Sequence, residues 1–459
     1  MKRPPARRWI IGCSVIGGIA LCGIGGTLLF FAAKFVDVGQ ASGEAEKAAV
    51  AYRKAGFAWE QKDLTKGFEV SDSDNAAPLL NVAIANFNEK KFNPVIKPLL
   101  RAADTKKYDE VETGLKPFNK GLDLAIVASN KKGLDFHRDW DMGPQLLFPE
   151  FATAKGLVKG LCLRAQVEFG QHQIDKGIAD LRTSWKIGSL IGHEPTIISL
   201  LVQIAIKRIA LDAVQRCAYI AQTDRAALTN LESFLNEPSP APDFGYALRG
   251  EAYMGLTVVR NLDNFGGLSR LSSSGDDAPM PPVKPSDLIR TGIPTGMMNR
   301  AFATRHFQAW TKSAESMEPF KGDPIKMSNA MEAVSEEISN KKTVSNLLNI
   351  ILFPVFSQAG MSVVTLEAES RVTRALLAAM KIRSTTGKFP LGLSDIPGKW
   401  VDPFNGQPVK ILHDGESFRV YSVGPNLKDD GGVVRSELHH DPFTAYDIAA
   451  CFPPRERSR

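Results

Sequence analysis

The amino-acid sequence predicts a mainly α-helical protein with an N-terminal transmembrane helix, an exported helical-bundle domain and a small C-terminal α+β module. Three observations predict this architecture. A long apolar stretch lies near the N-terminus, apolar residues recur at three- and four-residue steps, and an apolar–polar alternation surrounds an Asp-Gly pair near the C-terminus. Of the 459 residues, 44% are hydrophobic and 23% charged, which is typical of a chain with a buried core.

Residues 9–36 form the predicted membrane anchor. Residues 9–33 carry no charged side chain, and a helix of that length spans about 38 Å, more than the ~30 Å hydrocarbon core of a bilayer. Basic residues precede the stretch, namely Lys2, Arg3, Arg7 and Arg8. The positive-inside rule therefore predicts that residues 1–8 are a cytoplasmic tail and that the bulk of the chain is extracytoplasmic.

Two further hypotheses concern the anchor. Ser14, Gly18, Cys22 and Gly26 place small residues on one helix face, which is typical of self-associating helices but also of membrane helices rich in Gly and Ala. The small residues at 41–43 offer a cleavage site for a signal peptide instead. Signal peptides have apolar regions of about 7–15 residues, so the longer stretch here favours an uncleaved anchor.

Charge and cysteine usage exclude several classes of protein. The net charge is +6, but no run of Lys and Arg is interleaved with aromatic residues, so nucleic-acid binding has no support. The five cysteines form no CxxC pair, and two of them lie in the predicted anchor. This pattern argues against a disulfide framework and a zinc site. Cys162 and Cys217 either pair or are buried free thiols.

Residues 41–260 form the predicted helical domain. Its clearest block consists of three apolar helices joined by short turns, at residues 157–170, 175–192 and 195–221. Gly192 suits a helix C-terminus and Pro195 suits a first helical turn. Short connections place consecutive helices antiparallel, so we expect a helical bundle.

Residues 261–298 form a predicted linker, because Gly, Ser and Pro are too concentrated there to bury a core. Residues 299–361 return to helical patterning and form the predicted connecting helices. Within them, residues 345–356 are strongly apolar over about ten positions. That length predicts a buried core helix rather than a second membrane span.

Residues 362–452 form the predicted α+β module, and residues 453–459 a short tail. The module begins with an amphipathic helix that Gly387 is expected to end. Two strands follow, and Asp414 and Gly415 are expected to form the turn of their hairpin. A loop rich in Gly and Asp comes after the second strand.

The order of motifs in this module resembles the soluble domain of the type II secretion major pseudopilin (protein G). That family has a G-x-[YF]-P turn after its helix, then D-P-[WF]-G-x-P, and then Y-S-x-G-x-[DN] followed by two acidic residues. The matching stretches are Gly387–Pro390, Asp402–Pro408, Tyr421–Asn426 and Asp429–Asp430. In the family the last loop holds calcium, so the resemblance implies a calcium site at Asn426, Asp429 and Asp430.

Other features depart from that family. The apolar span carries no glutamate, and residues 41–361 separate it from the module, whereas pilins have one continuous helical spine. We therefore expect no incorporation into a fibre. The chain as a whole resembles single-pass proteins of the bacterial inner membrane, which places the bulk of it in the periplasm.

The favoured prediction is a non-catalytic, membrane-anchored protein of envelope assembly or interaction, whose partners are unidentified envelope or secretion proteins. One alternative is an anchored hydrolase with a site near His137, Asp139, His193 and Glu194, although G-x-S-x-G, HExxH and P-loop motifs are missing. A further alternative is a calcium-responsive binding module at the acidic loop.

Overall fold

The computed structural model describes residues 36–260, 295–341, 343–433 and 446–455. This part is mainly helical, with 69% of residues in helices and one small antiparallel sheet near the C-terminus. None of the helices described combines the length and apolarity that crossing a membrane requires. Residues 1–35, which include almost all of the predicted anchor and its stripe of small residues, lie outside the described part.

Helices account for most of the chain before residue 261. They are α1 (Ala45–Lys54), α2 (Gln61–Thr65), α3 (Ala77–Phe87), α4 (Glu89–Asp104), α5 (Tyr108–Leu115), α6 (Asn119–Ser129), α7 (Pro149–Gly170), α8 (Ile174–Ile191), α9 (Ile197–Ile220), α10 (Arg225–Leu235) and α11 (Phe244–Arg260). In the described part after residue 294, three further helices occur, namely α12 (Thr295–Met317), α13 (Pro324–Asn340) and α14 (Leu347–Thr386). Of the predicted linker, residues 261–294 lie outside the described part, and α12 begins at Thr295.

Helices α7, α8 and α9 pack against one another and form the centre of the bundle, as the sequence predicts. Leu161, Leu181 and Ile206, one from each helix, are fully buried between them. Pro195 lies just before α9 rather than in its first turn, because Thr196 is the N-cap residue. The hydroxyl of Thr196 accepts a hydrogen bond from the Ser199 amide at 3.0 Å, which satisfies a free N–H of the helix start.

Helix α14 is continuous over 40 residues. The boundary drawn at residue 362 between connecting helices and module lies inside it. Its apolar N-terminal part buries Phe353 and Phe356, as expected of a core helix. Gly387 ends the helix with φ +78°, a left-handed conformation that favours glycine, and this confirms the predicted stop.

The sheet has the order β1 (Lys410–Asp414), β2 (Ser417–Ser422), β3 (Ile448–Phe452), with antiparallel neighbours. Asp414 pairs with Ser417, so the hairpin turn consists of Gly415 and Glu416, one residue later than predicted. Gly415 has φ +59°, and glycine adopts this conformation with little strain, which sets the turn position. Strand β3 was missed by the sequence analysis, and it packs on α14.

Candidate functional site

The loop between α6 and α7, residues 130–148, places Arg138 in a buried ion-pair network. The Arg138 side chain is only 8% exposed. Its Nε donates to both carboxylate oxygens of Glu194, at 2.8 and 3.0 Å, and its other nitrogens donate to the Glu150 carboxylate and to the Leu147 carbonyl. The Phe148 ring covers the guanidinium with its centroid 4.4 Å from Cζ. Two carboxylates and an aromatic face thus surround one cation.

This network places the four residues of the predicted hydrolase site in separate roles. Glu194 binds Arg138, and burial raises the pKa of its carboxyl to about 7 against the opposing effect of that arginine. The His137 side chain is 67% exposed and pairs with Asp135. Asp139 accepts a hydrogen bond from the Asp141 amide and caps a short 3₁₀ turn. His193 is partly buried, which lowers its pKa.

No histidine is therefore bonded to Glu194 in the part of the chain that the structure describes. Groups of three or more His, Cys, Asp or Glu side chains able to hold a metal are also absent from it. Arg138, which the sequence analysis did not select, is the residue that organises this region. Phe136 and Phe148, close to Arg138 in sequence, could have indicated its burial, because arginine packs favourably on aromatic faces.

The three predicted calcium ligands lie together in the loop that follows β2. Asp429 accepts hydrogen bonds from the Tyr421 hydroxyl and the Gly431 amide, both at 3.1 Å, and it pairs with Lys410 at 2.9 Å. The Asn426 amide nitrogen donates to Asp430 at 2.8 Å. Each of these side chains thus already has a partner within the module.

Asp447, which the sequence analysis did not select, binds the same loop. It is fully buried at the start of β3, and its Oδ2 accepts from the Gly432 amide at 2.6 Å. Its Oδ1 is buried and has no hydrogen-bond partner among the described residues. Burial raises the pKa of Asp447. The backbone amides of Gly432 and Asp430 oppose this effect, whereas the carboxylates of Asp430 and Asp429 add to it. Sequence proximity does not indicate this residue, because residues 434–445 separate it from the loop.

Asp402, from the D-P-F motif, holds the end of β2 and so positions the loop. It is 1% exposed and accepts hydrogen bonds from the Ser422 hydroxyl and the Val423 amide, both at 2.8 Å. Gly424 then turns the chain with φ +67°. A Cβ at Gly424 would lie 2.2 Å from the Tyr446 carbonyl oxygen, so the close approach of the two chain segments requires glycine.

Comparison with known proteins identified no relative of this chain. No model of a protein family matches the chain, and neither a curated protein nor a solved structure matches it. The likeness of the C-terminal module to pseudopilins therefore depends on its sequence motifs.

Proposed function

We propose that this protein is a membrane-anchored, non-catalytic component of bacterial envelope assembly, in which the helical bundle presents a pseudopilin-like module to envelope or secretion proteins. The apolar stretch at residues 9–36 supports the anchor and the extracytoplasmic location of the bulk of the chain. The observation that carries the proposal is that bundle and module share helix α14. A module held rigidly on a bundle is suited to presenting a surface to a partner.

Several contacts join α14 to the bundle on one side. Glu369 accepts hydrogen bonds from Arg208 of α9 at 2.8 and 2.7 Å, and Lys381 pairs with Glu232 of α10. These pairs fix the rotation of α14 about its axis relative to α9 and α10. The module is therefore attached to the bundle by side-chain contacts as well as by the chain.

Arg383 connects the same helix to the module on its other side. It donates to the Gln222 side chain of the bundle at 3.0 Å, while its guanidinium lies over the rings of Phe389 and Phe452 at 5.2 and 4.5 Å. The Phe389 ring in turn stacks on Phe418 of β2, with centroids 4.5 Å apart. One side chain thus contacts both parts of the molecule.

Photo-crosslinking in cells tests the partner surface. Leu391 is 90% exposed, and Leu412 on the edge strand β1 is 38% exposed. A photo-reactive residue at either position is expected to give adducts with envelope or secretion proteins. Val82, an exposed apolar residue of α3, serves as the matched control and is expected to give none. Protein recovered alone from solubilised membranes, with no adducts at Leu391 or Leu412, would contradict the proposal.

A second proposed function is a calcium response of the module. Asp447 favours it, because its buried Oδ1 has no side-chain or backbone partner within hydrogen-bond distance among the described residues. Asn426, Asp429 and Asp430 belong to the acidic loop, and Asp447 accepts a hydrogen bond from its Gly432 amide. Calcium prefers six to eight oxygen ligands, so carbonyl groups and water would complete the shell. A bound cation would also offset the charges of Asp430 and Asp429, which raise the pKa of Asp447.

Thermal unfolding with and without calcium tests this second function. Calcium at about 100 times its Kd is expected to stabilise the wild type by about 3 kcal/mol. Asp447→Asn and Asp430→Asn are expected to remove the increase in Tm, whereas Asp414→Asn in the exposed hairpin keeps it. An equal increase with magnesium, or none in the wild type, would contradict a calcium site.

A further inference from the structure

A cavity of about 1260 Å³ opens beside the centre of the bundle, away from the acidic loop. Helices α8, α9, α11 and α14 and the loop between α10 and α11 contribute to its walls. Apolar and aromatic side chains make up much of the lining, including Trp185, Leu235, Phe244, Leu248, Val363 and Leu366. The volume exceeds the roughly 300–1,000 Å³ of common small-molecule sites.

Lys207 contributes a buried positive charge to this cavity. The residue is 2% exposed, and its Nζ donates to the Pro240 carbonyl at 2.8 Å and to the Ser239 hydroxyl at 3.4 Å. The Trp185 ring centroid lies 5.0 Å from Nζ. An ammonium has three N–H donors, so one remains beyond these two hydrogen bonds.

No described carboxylate compensates the charge of Lys207. Burial lowers the pKa of its ammonium to about 8, and no neighbouring acid opposes that effect. Burying an unpaired charge is unfavourable, and proteins normally avoid it by pairing the group. A lysine retained here in its charged form is therefore suited to binding an anion from outside the described chain.

Arg374 is a second cation that lines the same cavity. One of its terminal nitrogens donates to the Leu235 carbonyl, and its Nε is buried without a partner among the described residues. Lys207 and Arg374 both bind carbonyl groups of the segment from Leu235 to Pro240. The two cations are thus held by the same short segment at the cavity wall.

Five acids line the cavity, and three of them are bound to other cations. Glu237 pairs with Arg182, and Asp323 pairs with Lys326. Glu367 pairs with Arg371, one turn before Arg374 on the same helix. Of the other two, Asp243 accepts a hydrogen bond from the Tyr246 amide, and Glu318 is exposed. All five carboxylates are exposed or partly exposed, whereas Lys207 is buried. The interior of the cavity is consequently more cationic than its rim.

We infer that this cavity binds an organic oxyanion with an apolar body, whose carboxylate or phosphate group is held by Lys207. A charge-assisted hydrogen bond from Lys207 would bind the head group, and Arg374 adds a second positive charge to the cavity wall. Trp185 and Phe244 would contact the apolar body. This site differs from the proposed partner surface, which lies at Leu391 and Leu412.

Ligand binding to the full-length protein in phosphatidylcholine nanodiscs tests the inference by calorimetry. Phenyl phosphate and phenylacetate probe the two head groups, and inorganic phosphate and benzyl alcohol probe head and body separately. We expect saturable binding of at least one aromatic anion, and weaker binding of the two partial probes. Binding of inorganic phosphate as tight as that of phenyl phosphate would overturn the role of the apolar wall, and no saturable binding would overturn the site.

Substitutions separate a ligand-binding role from a structural one. Lys207→Met is expected to weaken anion binding by about tenfold or more, while the ligand-free Tm does not fall. Lys321→Met, at an exposed lysine lining the same cavity, is the matched control and keeps wild-type affinity. A fall in Tm with unchanged affinity would show that Lys207 only holds the loop. Arg374→Met allows the same comparison of anion affinity with ligand-free Tm for the second cation.

Discussion

Arg138 and Lys207 are buried cations in two regions of the bundle, and the groups that surround them differ. Arg138 lies between Glu194 and Glu150, with a side-chain exposure of 8%. Lys207 is 2% exposed and donates only to a carbonyl and a hydroxyl oxygen in the described structure. One charge is balanced within the fold, whereas the other is not.

The difference indicates different reasons for retaining each charge. A buried cation that is paired with carboxylates joins chain segments. Removing it leaves those carboxylates buried without a partner. A buried cation without a carboxylate partner adds little stability beyond what an apolar side chain would provide. The comparison therefore assigns Arg138 to stability and Lys207 to ligand binding, and the following substitutions test it.

Arg138→Met is expected to have the largest effect, a loss of about 3–5 kcal/mol in the free energy of unfolding near pH 8, because two buried carboxylates lose their shared cation. The loss should shrink towards pH 5. The pKa of Glu194 is already about 7 in the folded state, above its ordinary value, so protonation below that pH relieves the buried charge. Urea denaturation across this range measures both effects, and an equal loss at every pH would contradict the role of Glu194.

Lys207 is expected to have an intermediate effect that appears as a pH dependence. Its pKa falls from 10.5 to about 8 on folding, so the unfolded chain binds more protons between these values and stability rises with pH. Relative to Lys207→Met, the wild type should gain about 2 kcal/mol between pH 8 and pH 10. Parallel stability curves for wild type and variant would show that the lysine is not buried in its charged form.

Arg182→Met is expected to have the smallest effect. Arg182 and Glu237 form an ion pair with side-chain exposures of 38% and 41%, and exposed pairs contribute about 1 kcal/mol or less. Urea denaturation should therefore show a loss well below that of Arg138→Met, and it should shrink further in 0.5 M salt. A loss as large as that of Arg138→Met would show that burial does not explain the difference between the two arginines.

Much of the secondary structure could be predicted because its causes are local. Helices α7, α8 and α9 follow from apolar spacing and short turns, and the end of α14 follows from Gly387. Strand β3 was missed because its pairing partner β2 lies across residues 423–447. The predicted anchor at residues 9–36 and the calcium site remain predictions, supported by sequence patterns.

The candidate sites were less predictable. The four residues of the proposed hydrolase site contain His and acidic groups in suggestive order, yet Glu194 binds an arginine rather than a histidine. Conversely, Lys207 lies in an unremarkable apolar helix, and nothing adjacent in sequence indicates that it is buried without an acid. Chemical type is readable from sequence, but the environment that changes a pKa is not.

The sequence by itself determined the mainly helical character, the hairpin and the composition of the acidic loop, because each depends on interactions within a few residues. Only the tertiary structure decided which charges meet. Arg138 and Glu194 are 56 residues apart in sequence, and Asp447 reaches its loop through the pairing of β3 with β2. The energy of a buried charge depends on every group packed around it, so the packing of the whole chain sets its role.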